Sequence, residues 1–543
     1  MTTPATATAI PAATAATAAT AVPDESGFIP FLCMIAAHAQ SNPQGIAFRV
    51  DKRTLDWRTL HERVAQVARA LAAGGVGKGD KVAVLGFPSL AYVECLFGIV
   101  ATRACVVPLP VSASAETLQA MLADCEARLL FLDPACGEAM AQMAARSSVR
   151  VVRFGEDGED GGDYTAWRAS GASGAPLLVA QPGDAFNIIY SSGTTGMPKG
   201  IVHLHGMRQR QAQRNGFGFS MHSRTLLSTP MYSNTTITPM IGTLANGGEC
   251  ILMRKFDAGR YLGLAAALRA THTMLVPVQY KRLLAHPDFD GSDLSAFELS
   301  QSTGAPMDAA MKREILARWP GRFLEVYGMT EGGVSCFLDA RAHPGKLGTV
   351  GTPVHGTEVF LIDEAGNKLP PGVDAEGRER IGEVVGRSPF MMAGYHKRPD
   401  ATAEIRWYDE QGRMHHRTGD IGRFDEDGFL TLLDRSKDVI ISGGNNIYAA
   451  DIEAVLSRHA DVQDCAVIGV PSAEWGESPL ALVVARPGAR IDAVALRDWV
   501  NAQVGKTQRL LAVEVRDELP RSHLGKLSKK ELRAPYWQKA GAA

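Results

Sequence analysis

From about Gly27 onward, apolar and polar positions alternate between a helical and an extended period. The segment "LDWRTLHERVAQVARALAA" (55–73) repeats its apolar residues at helix spacing, and "GVGKGDKVAVLG" (75–86) runs from a Gly-rich turn into an apolar strand. "LAYVECLFGIVATRA" (90–104) reads as a helix, then "CVVPLP" (105–110) and "ARLLFL" (127–132) as short apolar strands. This alternation persists to about residue 330 and predicts stacked α/β layers with mostly parallel sheet. Near residue 345 the texture changes to short strands broken by Gly/Pro turns, as in "GKLGTVGTPVHGTEVFLIDEAGNKLPPG", the pattern of a small β-barrel or meander. After "DGFLTLLDRSKD" (427–438) it changes again, mixing helices such as "AADIEAVLSRHA" with strands such as "DCAVIGV" and "LALVVA" in an α+β pattern. The expected organisation is a large domain over 27–434 (β-rich from about 345), a hinge at 435–438, and a small α+β domain over 439–543.

Composition narrows the class. A chain of 543 residues exceeds one hydrophobic core, and 45% hydrophobic with 21% charged residues is ordinary for a globular protein. Lys+Arg 56 against Asp+Glu 58 gives no electrostatic case for nucleic acid or an anionic membrane. No apolar run reaches the roughly 18–20 residues of a membrane span. The eight cysteines are scattered without C-x-x-C or paired histidines, which argues against disulfides and zinc and suits a cytoplasmic protein. Residues 1–26 form an Ala/Thr-rich stretch without Lys or Arg, expected to be a disordered tail rather than a targeting segment.

The chemistry begins at "IIYSSGTTGMPKGIVH" (188–203), a Gly/Ser/Thr-rich segment with one lysine behind an apolar strand end. Hydroxyls and glycine-exposed N–H groups suit a phosphate chain better than a plain surface turn. It is not the G-x-x-x-x-G-K-[ST] loop of common NTPases: Gly193 and Gly196 are three apart, and Met197-Pro198 precede Lys199. Pro198 also blocks a helix from starting there.

"YSSGTTGMPKG" resembles the signature loop of the adenylate-forming superfamily, the acyl-CoA synthetases, peptide-synthetase adenylation domains and beetle luciferases. "STGAPM" (302–307), "VYGMTE" (326–331), "HRTGDIGRFDEDGFLTLLDRSKDVIISGGNNIYAADIE" (416–453) and "LPRSHLGKLSKKELR" (519–533) agree in the same order. The resemblance implies ATP and coenzyme A as co-substrates, Mg2+ as the metal, and a nucleotide site built by Ser191, Ser192, Gly193, Thr194, Thr195, Gly196 and Lys199. It adds Gly304, Ala305 and Pro306 along the adenine, Tyr327 stacked on it, Gly328 and Met329 in the nucleotide site, and the Thr330 hydroxyl toward the α-phosphate. Glu331, with Thr194, is implied to hold Mg2+ on the phosphates. Asp420 matches the carboxylate that takes both ribose hydroxyls, and Arg435 an arginine near ribose and phosphates; alternatively the two are a structural ion pair. Lys526 is implied as the catalytic cation of adenylation, the alternative being a solvated tail lysine like Lys529 and Lys530. Lys437 takes the hinge position of a small domain that alternates between two orientations. Ser442, Gly443 and Gly444 lie on the loop implied to line the pantetheine channel.

The acid itself is less legible. Motif position assigns the acyl pocket to Tyr232, Asn234, Thr235, Gln279, Ser302, Gly332 and Gly333, a mix that suits an aromatic or medium-sized carboxylic acid. Ser233 stands where many relatives of this type carry a histidine, and no aspartate is present to hold an amino-acid ammonium group. The reading is therefore an acid:CoA ligase. A stand-alone enzyme loading an acyl carrier protein and a degenerate nucleotide-binding homologue are the alternatives. A homodimer is compatible with the sequence but not specified by it.

Overall fold

The computed structural model describes residues 27–155, 162–173, 179–191, 198–214, 216–442, 445–472, 474–521 and 527–541. Two compact units divide the chain, Met1–Lys255 and Phe256–Ala543.

In the first unit, the strands Cys105–Pro108, Lys81–Leu85, Ala127–Leu132 and Arg150–Arg153 run parallel. Ala185–Ser191 joins them beside Cys105–Pro108. A second parallel group holds Arg224–Leu227, Glu249–Leu252 and Ile46–Val50, closed by the antiparallel strand Arg53–Asp56. The helix expected over 55–73 is Trp57–Ala73, because Asp56 ends the preceding strand and its side chain caps the helix through Thr59 N. The helix expected over 90–104 ends at Ala101, and Arg103 leaves it with a positive φ of 67°.

All residues of Leu90–Ala101 are buried, the signature of a helix sandwiched between layers. Glu94 lies in its middle, fully buried, and is held by three donors: Arg63 Nη1 (2.8 Å), Tyr164 OH (2.7 Å) and Arg168 Nη1 (2.7 Å). Removing the carboxylate takes the Glu94 counter-charge away from the buried Arg168 guanidinium. Glu94→Ala is therefore expected to cost about 3–5 kcal/mol in chemical denaturation of the full chain. A loss under about 1 kcal/mol would show that the cluster re-solvates.

His205 opens the helix His205–Ala212 with 1% exposure, its ring edge-on to Phe186 and both ring nitrogens without hydrogen-bond partners among the described residues. Burial pushes its pKa down to about 4, so the folded chain holds it neutral. An unfolded histidine protonates near pH 6.5, and the unfolded state thus binds the extra proton between those values. Stability should fall as pH drops from about 6.5 toward 4, by up to roughly 3 kcal/mol from this group. Melting temperature against pH checks this, with a shallower decline expected in His205→Phe.

The second unit begins with the parallel strands His272–Leu275, Leu299–Ser302 and Arg322–Gly328, followed by antiparallel Ser335–Asp339 and Thr352–Pro353. The β-rich segment is an antiparallel sheet in the order Lys368–Leu369, Glu358–Ile362, Gly382–Arg387, Met414–Phe424, Arg406–Tyr408, with Leu430–Arg435 also pairing Met414–Phe424. The C-terminal part wraps the helices Ala449–Leu456, Ala493–Asn501 and Lys529–Gly541 around the long hairpin Val462–Ser472/Gly476–Ala485. This is the expected fold class: stacked α/β layers, a curled β-sheet, then a small α+β part.

Candidate functional site

The constellation starts at the carboxyl ends of two neighbouring parallel strands of the second unit, the end of an α/β sheet where ligands bind. Leu299–Ser302 and Arg322–Gly328 pair in register, Ser302 opposite Glu325, so the segments after them leave the same edge. The first contains Gly304, Ala305 and Pro306; Gly304 has φ +89°, and the Thr303 hydroxyl donates to Val326 O (2.8 Å), tying the two segments together. The second is a tight return, Tyr327 and Gly328 pairing with Cys336 and Ser335 across the turn that bears Met329, Thr330 and Glu331.

That turn is pressed onto the β-rich sheet. A Cβ on Gly332 (φ +79°) would overlap the Phe390 carbonyl, and one on Gly333 would collide with His416. Their lack of side chains thus has a packing cause, independent of any pocket. Met392 N donates to Glu331 O (2.8 Å), and the Ser388 hydroxyl to Gly332 O. The Glu331 carboxylate receives the Tyr395 hydroxyl on Oε1 at 2.7 Å, while Oε2 has no hydrogen-bond partner among the described residues. Sequence reasoning missed Tyr395; only the "AGY" turn before it marks the place.

Asp420 sits on Met414–Phe424 opposite Arg435 of the adjacent strand. Arg435 Nε meets Asp420 Oδ1 at 2.7 Å, and Tyr327 OH donates to Oδ2 at 2.7 Å. Arg435 is half exposed, whereas Asp420 is largely covered. The Tyr327 hydroxyl is raised well above its ordinary value, first by burial and then by Asp420; the Tyr395 hydroxyl is raised in the same way by burial and Glu331. Both phenols stay protonated and act as donors. Tyr327, Asp420 and Arg435 thus form one linked group, and Glu331 with Tyr395 a second, and in both each carboxylate oxygen keeps lone pairs for a further donor.

Elsewhere in this unit, Gln279 turns its amide oxygen to Val276 N (3.2 Å) at the start of Pro277–Leu284, and Ser302 Oγ is buried without a partner among the described residues. Lys437 lies in the short turn Ser436–Asp438, gripped from the last helix by Arg533, which reaches Lys437 O (3.1 Å) and Asp438 (2.8 Å). Lys529 is no solvated tail lysine: it is mostly buried against Glu453 (3.1 Å) and Asp434 (3.5 Å). Ser442 ends Ile440–Ser442 and pairs with Asn445; Gly443 and Gly444 lie outside the described residues. Lys526 does too, next to the bridge between Arg521 and Leu527.

In the first unit, the apolar run 188–190 belongs to Ala185–Ser191, which pairs antiparallel with Lys199–Leu204, Ser191 opposite Lys199. The glycine- and hydroxyl-rich loop therefore joins two antiparallel strands, not a strand and a helix, which follows from Pro198. Ser192, Gly193, Thr194, Thr195 and Gly196 lie outside the described residues. Tyr232 OH is 3.4 Å from Ser112 Oγ, and Ser233 is the N-cap of Asn234–Ala245, accepting from Thr235 N. Asn234 Oδ1 accepts from Arg208 Nη2 at 2.9 Å. A fully buried Arg208 was also missed, because "HGMRQRQAQR" reads as a polar surface helix.

Comparison with known proteins agrees with this architecture. The family model for "AMP-binding enzyme" matches residues 35–396, and that for "AMP-binding enzyme C-terminal domain" matches 451–526. The chain is similar to a feruloyl-CoA synthase of Amycolatopsis sp (35% identical, covering 92% of this chain and 97% of the relative). It is also similar to the fatty acid–[acyl-carrier-protein] ligase ScoC of Streptomyces coeruleorubidus (32% identical, 92% and 95% covered). Among solved structures, ATP-bound MatB from Rhodopseudomonas palustris superposes with a TM-score of 0.84 at 29% identity, over 94% of this chain and 99% of that one. With a matching family model over most of its length and relatives aligned nearly end to end, the chain belongs to the AMP-binding enzyme family.

Proposed function

We propose that the protein is an ATP-dependent carboxylic acid:CoA ligase. A carboxylate oxygen of the acid attacks the α-phosphorus of ATP, pyrophosphate leaves, and the acyl-adenylate forms. The CoA thiolate then attacks the acyl carbon and AMP departs with the bond electrons. The first step joins two anions, so the protein contributes mainly alignment and charge neutralisation.

The observation that carries this reading is the linked group Tyr327–Asp420–Arg435 beside Glu331–Tyr395. Asp420, oriented from two sides, suits the vicinal hydroxyls of ribose, with the Tyr327 ring against adenine. Thr330 and Arg435 face the α-phosphate side, while Lys199 and the loop 191–196 hold the outer phosphates. Lys526 offsets the charge that grows at the α-phosphate. Mg2+ fits the chemistry of Glu331, which keeps one carboxylate oxygen without a partner among the described residues; Glu331, with Thr194 named from its motif, would hold the metal, which would withdraw charge from the phosphates. The substrate is an aromatic or medium-sized acid; the relative named feruloyl-CoA synthase supports the aromatic class, while the one named for a fatty acid and a carrier protein supports the alternative acceptor.

The test is a panel of carboxylic acids read by ATP–pyrophosphate exchange, repeated with CoA and with a phosphopantetheinylated carrier protein. Acid-dependent exchange with thioester on CoA supports the proposal. Thioester only on the carrier protein would make this a carrier-loading enzyme, and no exchange with any acid would indicate a degenerate homologue.

A further inference from the structure

Arg208 is 0% exposed, and no carboxylate pairs with it among the described residues. Its guanidinium is held by neutral acceptors alone. Asn187 Oδ1 takes bonds from Nε (2.9 Å) and Nη2 (2.7 Å), and Gln211 Oε1 from Nη1 (2.7 Å). His203 Nδ1 lies 3.0 Å from Nη2, and Asn234 Oδ1 accepts from Nη2 at 2.9 Å. Burial without counter-charge lowers its pKa to about 9, which leaves it cationic at neutral pH.

A guanidinium donates through five N–H groups and accepts nothing, so it fixes the polarity of every neighbour. His203 Nδ1 must be the bare, accepting nitrogen, which also lets it take the Asn187 amide N–H at 3.1 Å. Asn187 and Asn234 must each turn their oxygen inward. An amide that faced Arg208 with its NH2 would oppose donor to donor, so the Asn234 flip is set by chemistry rather than by fit. Asn234 is half-buried in the first turn of Asn234–Ala245, close to Tyr232. With its oxygen committed to Arg208, its two N–H donors lie on the side away from the cation.

We infer that Arg208 is a positioning residue for acid selection: by locking the Asn234 amide it makes this wall a hydrogen-bond donor, selecting acids with an acceptor oxygen on the acyl group. The inference rests on the proposed acid-activating function and on Asn234 facing the acyl group. The substrate class is a carboxylic acid with an ether, carbonyl or second carboxylate oxygen, in preference to its purely hydrocarbon counterpart.

Matched acids differing by one acceptor test this, read by ATP–pyrophosphate exchange: cinnamate against 4-methoxycinnamate, and pentanoate against 4-oxopentanoate. For at least one pair the wild-type chain should favour the acceptor-bearing acid by about tenfold or more in kcat/KM, mainly through KM. In Arg208→Met the ratio should fall toward one with the KM for ATP unchanged. Asn234→Asp gives the same readout if the arginine variant does not fold, because aspartate still accepts from Arg208 but presents no N–H. A wild-type ratio near one for every pair, or a ratio unchanged in folded Asn234→Asp, would overturn the inference and leave the ligase proposal standing. Failure of every acid to support exchange would overturn both.

Discussion

Lys526→Ala is expected to lower acyl-adenylate formation by about 10²–10³-fold, the usual cost of removing one preorganised charge from a site where negative charge develops. The second half-reaction, started from synthetic acyl-adenylate and CoA, should be largely spared, because its leaving group is already AMP. Pyrophosphate exchange and thioester formation, measured separately, read the two effects. An equal loss in both, in a variant with wild-type melting temperature, would remove the lysine from adenylation. The substitution sits in 522–526, between Arg521 and Leu527, which bridge each other, so it should leave that part of the small α+β region intact.

Asp420→Ala should have the second largest effect, and it separates the two readings of the Asp420–Arg435 pair. The alanine strips the Tyr327 hydroxyl of its acceptor and Arg435 of its partner. If Asp420 takes the ribose hydroxyls, the KM for ATP should rise by about 10–100-fold, as for loss of a charged hydrogen-bonding group. The Arg435 contact itself adds roughly 0–1 kcal/mol of stability, because Arg435 is half exposed, and the Tyr327 hydroxyl left without its acceptor costs about 1–3 kcal/mol. A purely structural pair predicts that same lower melting temperature with an unaltered KM, so the KM separates the two readings.

Legibility from sequence follows the range of the interactions. The helix Leu90–Ala101 and the strand Ala127–Leu132 were readable because their apolar periods are local. Pro198 excluded a helix after the loop at 191–199, and the chain does continue as the strand Lys199–Leu204. That the chain returns as a strand paired to Ala185–Ser191 was not readable, since pairing is a tertiary choice. Asp420 and Arg435 could be named, with an ion pair between them as one alternative, but the register that sets them opposite each other depends on how Met414–Phe424 lies against its neighbour. Tyr395 and Arg208 were invisible for the same reason. Tyr395 reaches Glu331 from 64 residues away, and Arg208 draws its meaning from Asn187 and Asn234 on other elements. Gly332 and Gly333 show the converse: read as pocket lining, they also have a packing cause in Phe390 and His416 that no motif announces.

The most direct measurement of the central claim is the product balance of a single reaction containing ATP, Mg2+, CoA and an acid active in exchange. The proposal predicts AMP, pyrophosphate and acyl-CoA thioester in equal amounts, each dependent on the acid. Formation of ADP and phosphate, or AMP released without thioester while CoA is saturating, would contradict it.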